Sequence, residues 1–131
     1  MLQRLENLEE NIVNLNNLSK KFAIEDIRNN KLDEWSLRYG LFESIQITID
    51  ISCHISSKYN LGSAKTYTQC IENLEKQKYI DKNLAKNLIS AIGLRNLLIH
   101  EYVKIDIDQL YSFLKLTDDF RCFIREIKEY L

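Results

Sequence analysis

The sequence predicts an all-α fold, an antiparallel helical bundle of about five helices, and three observations lead there. Residues that punctuate tight turns are scarce, with no proline and three glycines (Gly40, Gly62, Gly93) among 131 residues. Apolar residues recur at spacings of three and four along most of the chain, which is the period of a helix face and not of a strand. Connections between the periodic stretches are short, so successive helices run antiparallel.

The elements follow in order. Leu2, Leu5, Leu8, Ile12, Leu15, Leu18 and Phe22 draw one apolar stripe along a long first helix. Polar residues Arg28 to Lys31 interrupt the pattern, and Asp33 is the expected N-cap of a second helix from about Glu34 to Ser57. Trp35, Leu37, Tyr39, Leu41, Phe42, Ile45, Ile47, Ile49 and Ile51 lie on several faces of that helix. It is therefore expected at the centre, or covered on a second side by another subunit, with Trp35 and Tyr39 in the core. Lys58 to Ser63 reads as a connection, and Tyr67, Cys70, Ile71 and Leu74 give a shorter amphipathic helix. Asp81 caps a helix whose apolar side is Leu84, Leu88, Ile92, Leu94 and Leu98. The periodicity lapses between His100 and Asp106, where Tyr102 to Ile107 also suits an extended strand. Asp106 and Gln109 have the spacing of a capping box, opening a last helix on Leu110, Phe113, Leu114, Phe120, Phe123, Ile124 and Ile127.

Residues 1–131 fit one domain, which is long enough to bury a core without staples. Ordinary proportions of hydrophobic (45%) and charged (28%) residues argue against disorder and fibrous repeats. The formal net charge of −1 argues against coating nucleic acid through bulk positive charge, though not against a local basic cleft. The apolar run from Ile45 to Ile55 is broken by Gln46, Thr48, Asp50, Ser52 and His54, so no membrane span is expected. Met1 to Glu10 lacks a signal core, and the expected location is cytoplasmic. Cys53, Cys70 and Cys122 contain no C-x-x-C pair and are expected as free thiols. No metal site is expected: beside Cys53 and His54 only Asp50 lies at helical spacing.

The segment Gly93-Leu94-Arg95-Asn96-Leu97-Leu98-Ile99-His100-Glu101-Tyr102 gathers a guanidinium, an amide, an imidazole and a phenol. On a continuous helix Asn96 and His100 share a face, and Arg95 and Tyr102 share another. Arg95 and His100 diverge by about 140°, so a joint site needs arginine's reach, a fraying helix end or a second copy of the chain. These groups suit RNA cleavage, in which the 2′-hydroxyl attacks the adjacent phosphorus. That reaction needs a proton-transfer group and positive charge near the phosphate. Histidine can move the proton, arginine can offer paired donors to phosphate oxygens, and Asn96 can hold a phosphate oxygen or orient His100. The same residues also have an ordinary structural reading, with Arg95 as a surface ion-pairing residue, His100 as a helix C-terminal charge and Tyr102 as a half-buried aromatic. Asp50, on an apolar helix, calls for a partner such as Arg38 or Arg95. Glu43, seven residues earlier on the same face, is a further supporting candidate.

The stretch G-L-R-N-L-L-I-H-E-Y resembles the R-x-x-x-x-H-x-Y signature of the HepT-like family within the HEPN superfamily, at Arg95, His100 and Tyr102. Arg38-Tyr39 and then Ile49-Asp50-Ile51 to His54-Ile55 resemble the family's earlier helix. One departure is Gly62-Ser63-Ala64-Lys65-Thr66-Tyr67, where relatives often carry a proline as well as the tyrosine. The resemblance implies a homodimeric bundle whose signature arginines and histidines face a shared cleft. It also implies the toxin component of a type VII toxin–antitoxin system: a metal-independent endoribonuclease with no cofactor, with Arg95 and His100 catalytic, beside which Asn96 is a catalytic candidate on its own chemistry. The implied partner is an MntA-type nucleotidyltransferase antitoxin that transfers AMP to Tyr102, adding negative charge beside the cleft. The alternative is a non-catalytic substrate-binding or scaffold subunit of a nucleotidyltransferase complex.

Overall fold

Leu5, Leu8, Ile12 and Leu15 are buried along one side of α1 (Leu2–Lys21), the stripe that the three-and-four spacing predicts. A computed structural model describes residues 1–100 and 104–131. They form an all-α bundle with α2 (Ile24–Asn29), α3 (Lys31–Lys58), α4 (Tyr67–Lys76), α5 (Lys82–Ile99), α6 (Ile107–Ser112) and α7 (Leu116–Ile127) after α1. No strand occurs among the described residues.

The axis of the bundle is α3, packed against α1, α4 and α5. Its 28 residues rise about 42 Å. Leu37, Leu41, Ile45, Ile49, Ile51 and Ile55 are fully buried on more than one face, as expected for a central helix. Ser44, Thr48, Ser52 and Ser56 repeat every four residues and are also buried. Thr48 and Ser52 return their hydroxyls to the carbonyls of Ser44 and Thr48, at 2.9 and 2.8 Å, which satisfies polar groups the core could not hydrate. At Gly40 an added Cβ would stand 3.0 Å from Leu15 Cδ2, so α1 and α3 approach closely there. Asn11 Nδ2 donates to Glu43 Oε1 at 2.9 Å across the same contact. Phe120, Phe123 and Ile127 of α7 complete the core against α1 and α5.

The helix boundaries differ from expectation in two places. The Arg28 region is not a plain interruption. Residues 24–29 form a short helix, and α3 starts at Lys31 because Asn30 accepts from the N–H groups of Leu32 and Asp33 at 3.0 and 3.4 Å. Asp33 therefore sits in the first turn instead of capping it. The last helix is split by a 3-10 turn at Phe113–Lys115, which redirects the chain between α6 and α7. Asp81 caps α5 as read, accepting from Leu84 N at 2.7 Å, and Asp106 caps α6 by accepting from Asp108 N at 3.0 Å in place of the expected capping box with Gln109.

Cys53 and Cys70 are joined by a disulfide, and only Cys122 is free. The expectation of three free thiols fails because α3 and α4 cross with these Cα atoms 4.9 Å apart, within bonding range. A separation of 17 residues, with no C-x-x-C, did not announce it. Trp35 and Tyr39 are not core residues either: they are 55% and 63% exposed, on the side of α3 that no other described helix covers.

Candidate functional site

Arg95 lies in the last turns of α5, where the helix passes the middle of α3. Its Nε donates to Gln46 Oε1 at 2.8 Å, and its Nη1 donates to Asn96 Oδ1 at 3.1 Å. The guanidinium lies over the ring of Phe42 at 5.9 Å and the ring of Tyr67 at 5.2 Å. Two hydrogen bonds and two aromatic faces thus fix a side chain that would otherwise sample many rotamers. Among the described residues no carboxylate pairs with Arg95 directly.

The direct pairing expected between Asp50 and an arginine of the site needs correction. Asp50 meets neither Arg95 nor Arg38. It accepts from Gln46 Nε2 at 2.9 Å and faces Arg4 Nε at 3.8 Å. Gln46 is thus a neutral link between the carboxylate and the guanidinium, and sequence reading passed over it as one more interruption of an isoleucine-rich run. Its signal was its place one turn before Asp50 on an otherwise apolar helix.

Glu43 does not join the site. It points to α1, accepting from Asn11, and its interaction with the Tyr39 hydroxyl holds that phenol above its ordinary range. Arg38 faces Glu34 at 4.0 Å, and its Nη2 is buried without a hydrogen-bond partner among the described residues. Arg38 lines a hollow with Trp35, Tyr39, Phe42 and Leu98.

α5 ends at Ile99, and His100 is its C-cap, with φ −86° and ψ 80° and its N–H on Leu97 O at 3.2 Å. The chain thereby leaves the helical path after His100, which sits at the exposed end of α5. The amide oxygen of Asn96, expected to serve His100 or a phosphate, is turned to Arg95. Tyr102 lies outside the described residues.

Beside Arg95 opens a groove of about 880 Å³ between α5 and the connection from α3 to α4. Ser57, Asn60, Lys65, Tyr67, Arg95 and Asn96 line it. Sequence reading placed Tyr67 on the third major helix but did not connect it to Arg95. Cys53 and His54, weighed as metal ligands, take other roles: Cys53 is in the disulfide, and burial together with Lys58 holds His54 below its ordinary range.

Residues 8–128 match the family described as ribonuclease HepT-like. The chain belongs to the ribonuclease HepT-like family. It is 34% identical over 87 residues to the tRNA nuclease HepT of Aphanizomenon flos-aquae, an alignment covering 66% of this chain and 59% of that protein. It is 31% identical over 94 residues to the mRNA nuclease HepT of Shewanella oneidensis, covering 71% of each. The fold is similar to that of a tri-AMPylated Shewanella oneidensis HEPN toxin in complex with its MNT antitoxin. The TM-score is 0.88 at 22% identity, over 98% of this chain and 96% of that one. A toxin–antitoxin structure with AMP-PNP gives a TM-score of 0.85 at 20% identity, over 96% and 95%.

Proposed function

We propose that this protein is the toxin of a type VII toxin–antitoxin pair, a metal-independent endoribonuclease silenced by AMPylation of Tyr102 by an MntA-type nucleotidyltransferase. The observation that carries the reading is the fixed guanidinium of Arg95. It is anchored by neutral and aromatic groups, with no carboxylate paired to it among the described residues, at the wall of an open groove. A residue built to stabilise its own fold would more often meet a carboxylate. One built to meet RNA phosphate keeps its charge for the substrate. Family membership and the nuclease names of two relatives support the same reading.

In the proposed reaction His100 removes the proton of a ribose 2′-hydroxyl, whose oxygen bonds to the adjacent phosphorus. The bond from phosphorus to the 5′-oxygen breaks, that oxygen takes up a proton, and a 2′,3′-cyclic phosphate remains. Arg95 stabilises the charge gathering on the phosphate oxygens, with Asn96 holding the guanidinium in place. Because Arg95 turns towards α3 and α4 while His100 stands at the end of α5, two copies of the chain complete the site. The homodimer is supported by Leu32, Trp35 and Tyr39, exposed along one side of α3, with Trp35 and Tyr39 lining a hollow beside Arg38. No described helix is long and apolar enough to cross a membrane, and the proposed place of action is the cytoplasm.

The test is cleavage of cellular RNA by purified protein free of AMP. Arg95→Ala and His100→Ala are each expected to lower the rate at least about a hundredfold. Unmodified wild-type protein that leaves RNA intact would instead favour a non-catalytic subunit of a nucleotidyltransferase complex.

A further inference from the structure

We propose that the groove between α5 and the α3–α4 connection is a subsite for one nucleotide of single-stranded RNA next to the phosphate that is cut, with Tyr67 stacking on its base and Lys65 meeting the following phosphate. The proposal rests on the ribonuclease reading and deepens it by assigning residues that the signature does not contain. The groove's volume of about 880 Å³ lies in the range of small-ligand sites, about 300–1,000 Å³. Its lining combines the three chemistries a nucleotide needs. Arg95 and Lys65 supply positive charge, Tyr67 an aromatic ring that is 41% exposed, and Ser57 and Asn60 polar groups for base edges.

The Arg95 guanidinium lies over one side of the Tyr67 ring at 5.2 Å, and the ring is 41% exposed, so a phosphate on the guanidinium and a base on the ring's other side meet the same small region of the groove. This positive charge is local in a chain whose net charge is −1, which favours a chosen segment of RNA over indiscriminate coating.

The groove is also held in shape before any ligand arrives. Asn73 Nδ2 donates to Ser56 Oγ at 3.1 Å and to Ser63 O at 3.3 Å, tying the connection to α3 and α4. Gly62 has φ 148°, and a Cβ there would stand 3.0 Å from Asn73 Oδ1. Thr66 and Gln69 form a reciprocal capping box, with Thr66 Oγ1 accepting from Gln69 N at 3.2 Å and Gln69 Oε1 from Thr66 N at 3.3 Å. The Cys53–Cys70 disulfide closes the floor. Such preorganisation lowers the ordering cost of binding.

Fluorescence anisotropy with a fluorescein-labelled single-stranded oligoribonucleotide, titrated with the His100→Ala protein to prevent cleavage, reads the affinity. In that background Tyr67→Ala is expected to weaken binding about tenfold, while Tyr67→Phe keeps it. Lys65→Ala is expected to lower the slope of log affinity against log salt by about 0.7. Ser57→Trp fills the groove from a surface position. In the otherwise wild-type protein it is expected to raise KM for RNA about fivefold or more, with kcat little changed. Free AMP separates an RNA unit from a mononucleotide as the occupant. Displacement only at millimolar AMP supports the RNA subsite, whereas micromolar AMP binding with RNA affinity unmoved by the variants overturns it. A wild-type protein that cleaves RNA, with all three substitutions leaving affinity and KM unchanged, overturns the subsite alone. A wild-type protein that does not cleave RNA overturns the ribonuclease reading beneath it.

Discussion

Gln46 stands between Asp50 and Arg95, accepting from the guanidinium Nε at 2.8 Å and donating to the carboxylate at 2.9 Å. A neutral amide in that place transmits geometry from the carboxylate without cancelling the charge of the arginine. Gln46→Glu, nearly identical in shape, puts a carboxylate directly on Arg95 and beside Asp50. The expected result is a fall in kcat/KM for RNA of about tenfold, comparable to a charge-assisted hydrogen bond diverted from substrate. Cleavage kinetics at two salt concentrations check it, since a diverted charge also flattens the salt dependence of KM.

Tyr102 follows His100 by two residues in the sequence, and under the proposed regulation adenylyl groups on its phenol add negative charge to that segment. Co-expression with the proposed nucleotidyltransferase partner is expected to raise the intact mass in steps of AMP and to abolish RNA cleavage. Tyr102→Phe is expected to stay unmodified and active in the partner's presence. Mass spectrometry of both proteins decides the point, and an AMP adduct that persists in Tyr102→Phe places the modification elsewhere.

The Cys53–Cys70 bond closes a loop of 17 residues between α3 and α4. Loops of that size gain about 3 kcal/mol from cross-linking in the chain-entropy account. Reductant is expected to lower the melting temperature by several degrees, with the Cys53→Ser, Cys70→Ser double variant showing no response. Thermal unfolding with and without reductant measures how much the groove's floor depends on the bond.

Burial is the first cause holding His54 below its ordinary range, followed by Lys58, the N-terminal amine and Arg4. Its folded pKa lies below the unfolded one, so the unfolded chain binds the proton more readily. This contribution to stability is complete above the unfolded value of about 6.5 and is lost as pH falls through the lower folded value. His54→Gln is expected to flatten the dependence of stability on pH in that acidic window. Urea unfolding at a series of pH values checks it, and an unchanged slope refutes it.

The long helices were legible because their information is local. The stripe from Leu5 to Leu15, the caps at Asp81 and Asp106 and the apolar face of α5 each depend on neighbours within a turn or two. The short α2 was not legible, because six residues carry too little periodicity and depend on tertiary support such as Arg28 meeting Asp108 at 2.8 Å. Trp35 and Tyr39 were misplaced in the core for a related reason. Amphipathicity reports that a face is apolar, but not whether this chain or another copy covers it.

The site divides along the same line. Sequence alone put forward the candidate reactive groups, Arg95, Asn96, His100 and Tyr102, because their spacing within one segment is a property of the chain itself. It also foresaw that Arg95 and His100 diverge on a helix. Only the tertiary structure decided what holds Arg95. Gln46 lies 49 residues away, and Phe42 and Tyr67 reach it from two other helices. Long-range contacts of this kind follow from how α3, α4 and α5 cross, and that crossing is set by the packing of the whole core and not by any local pattern.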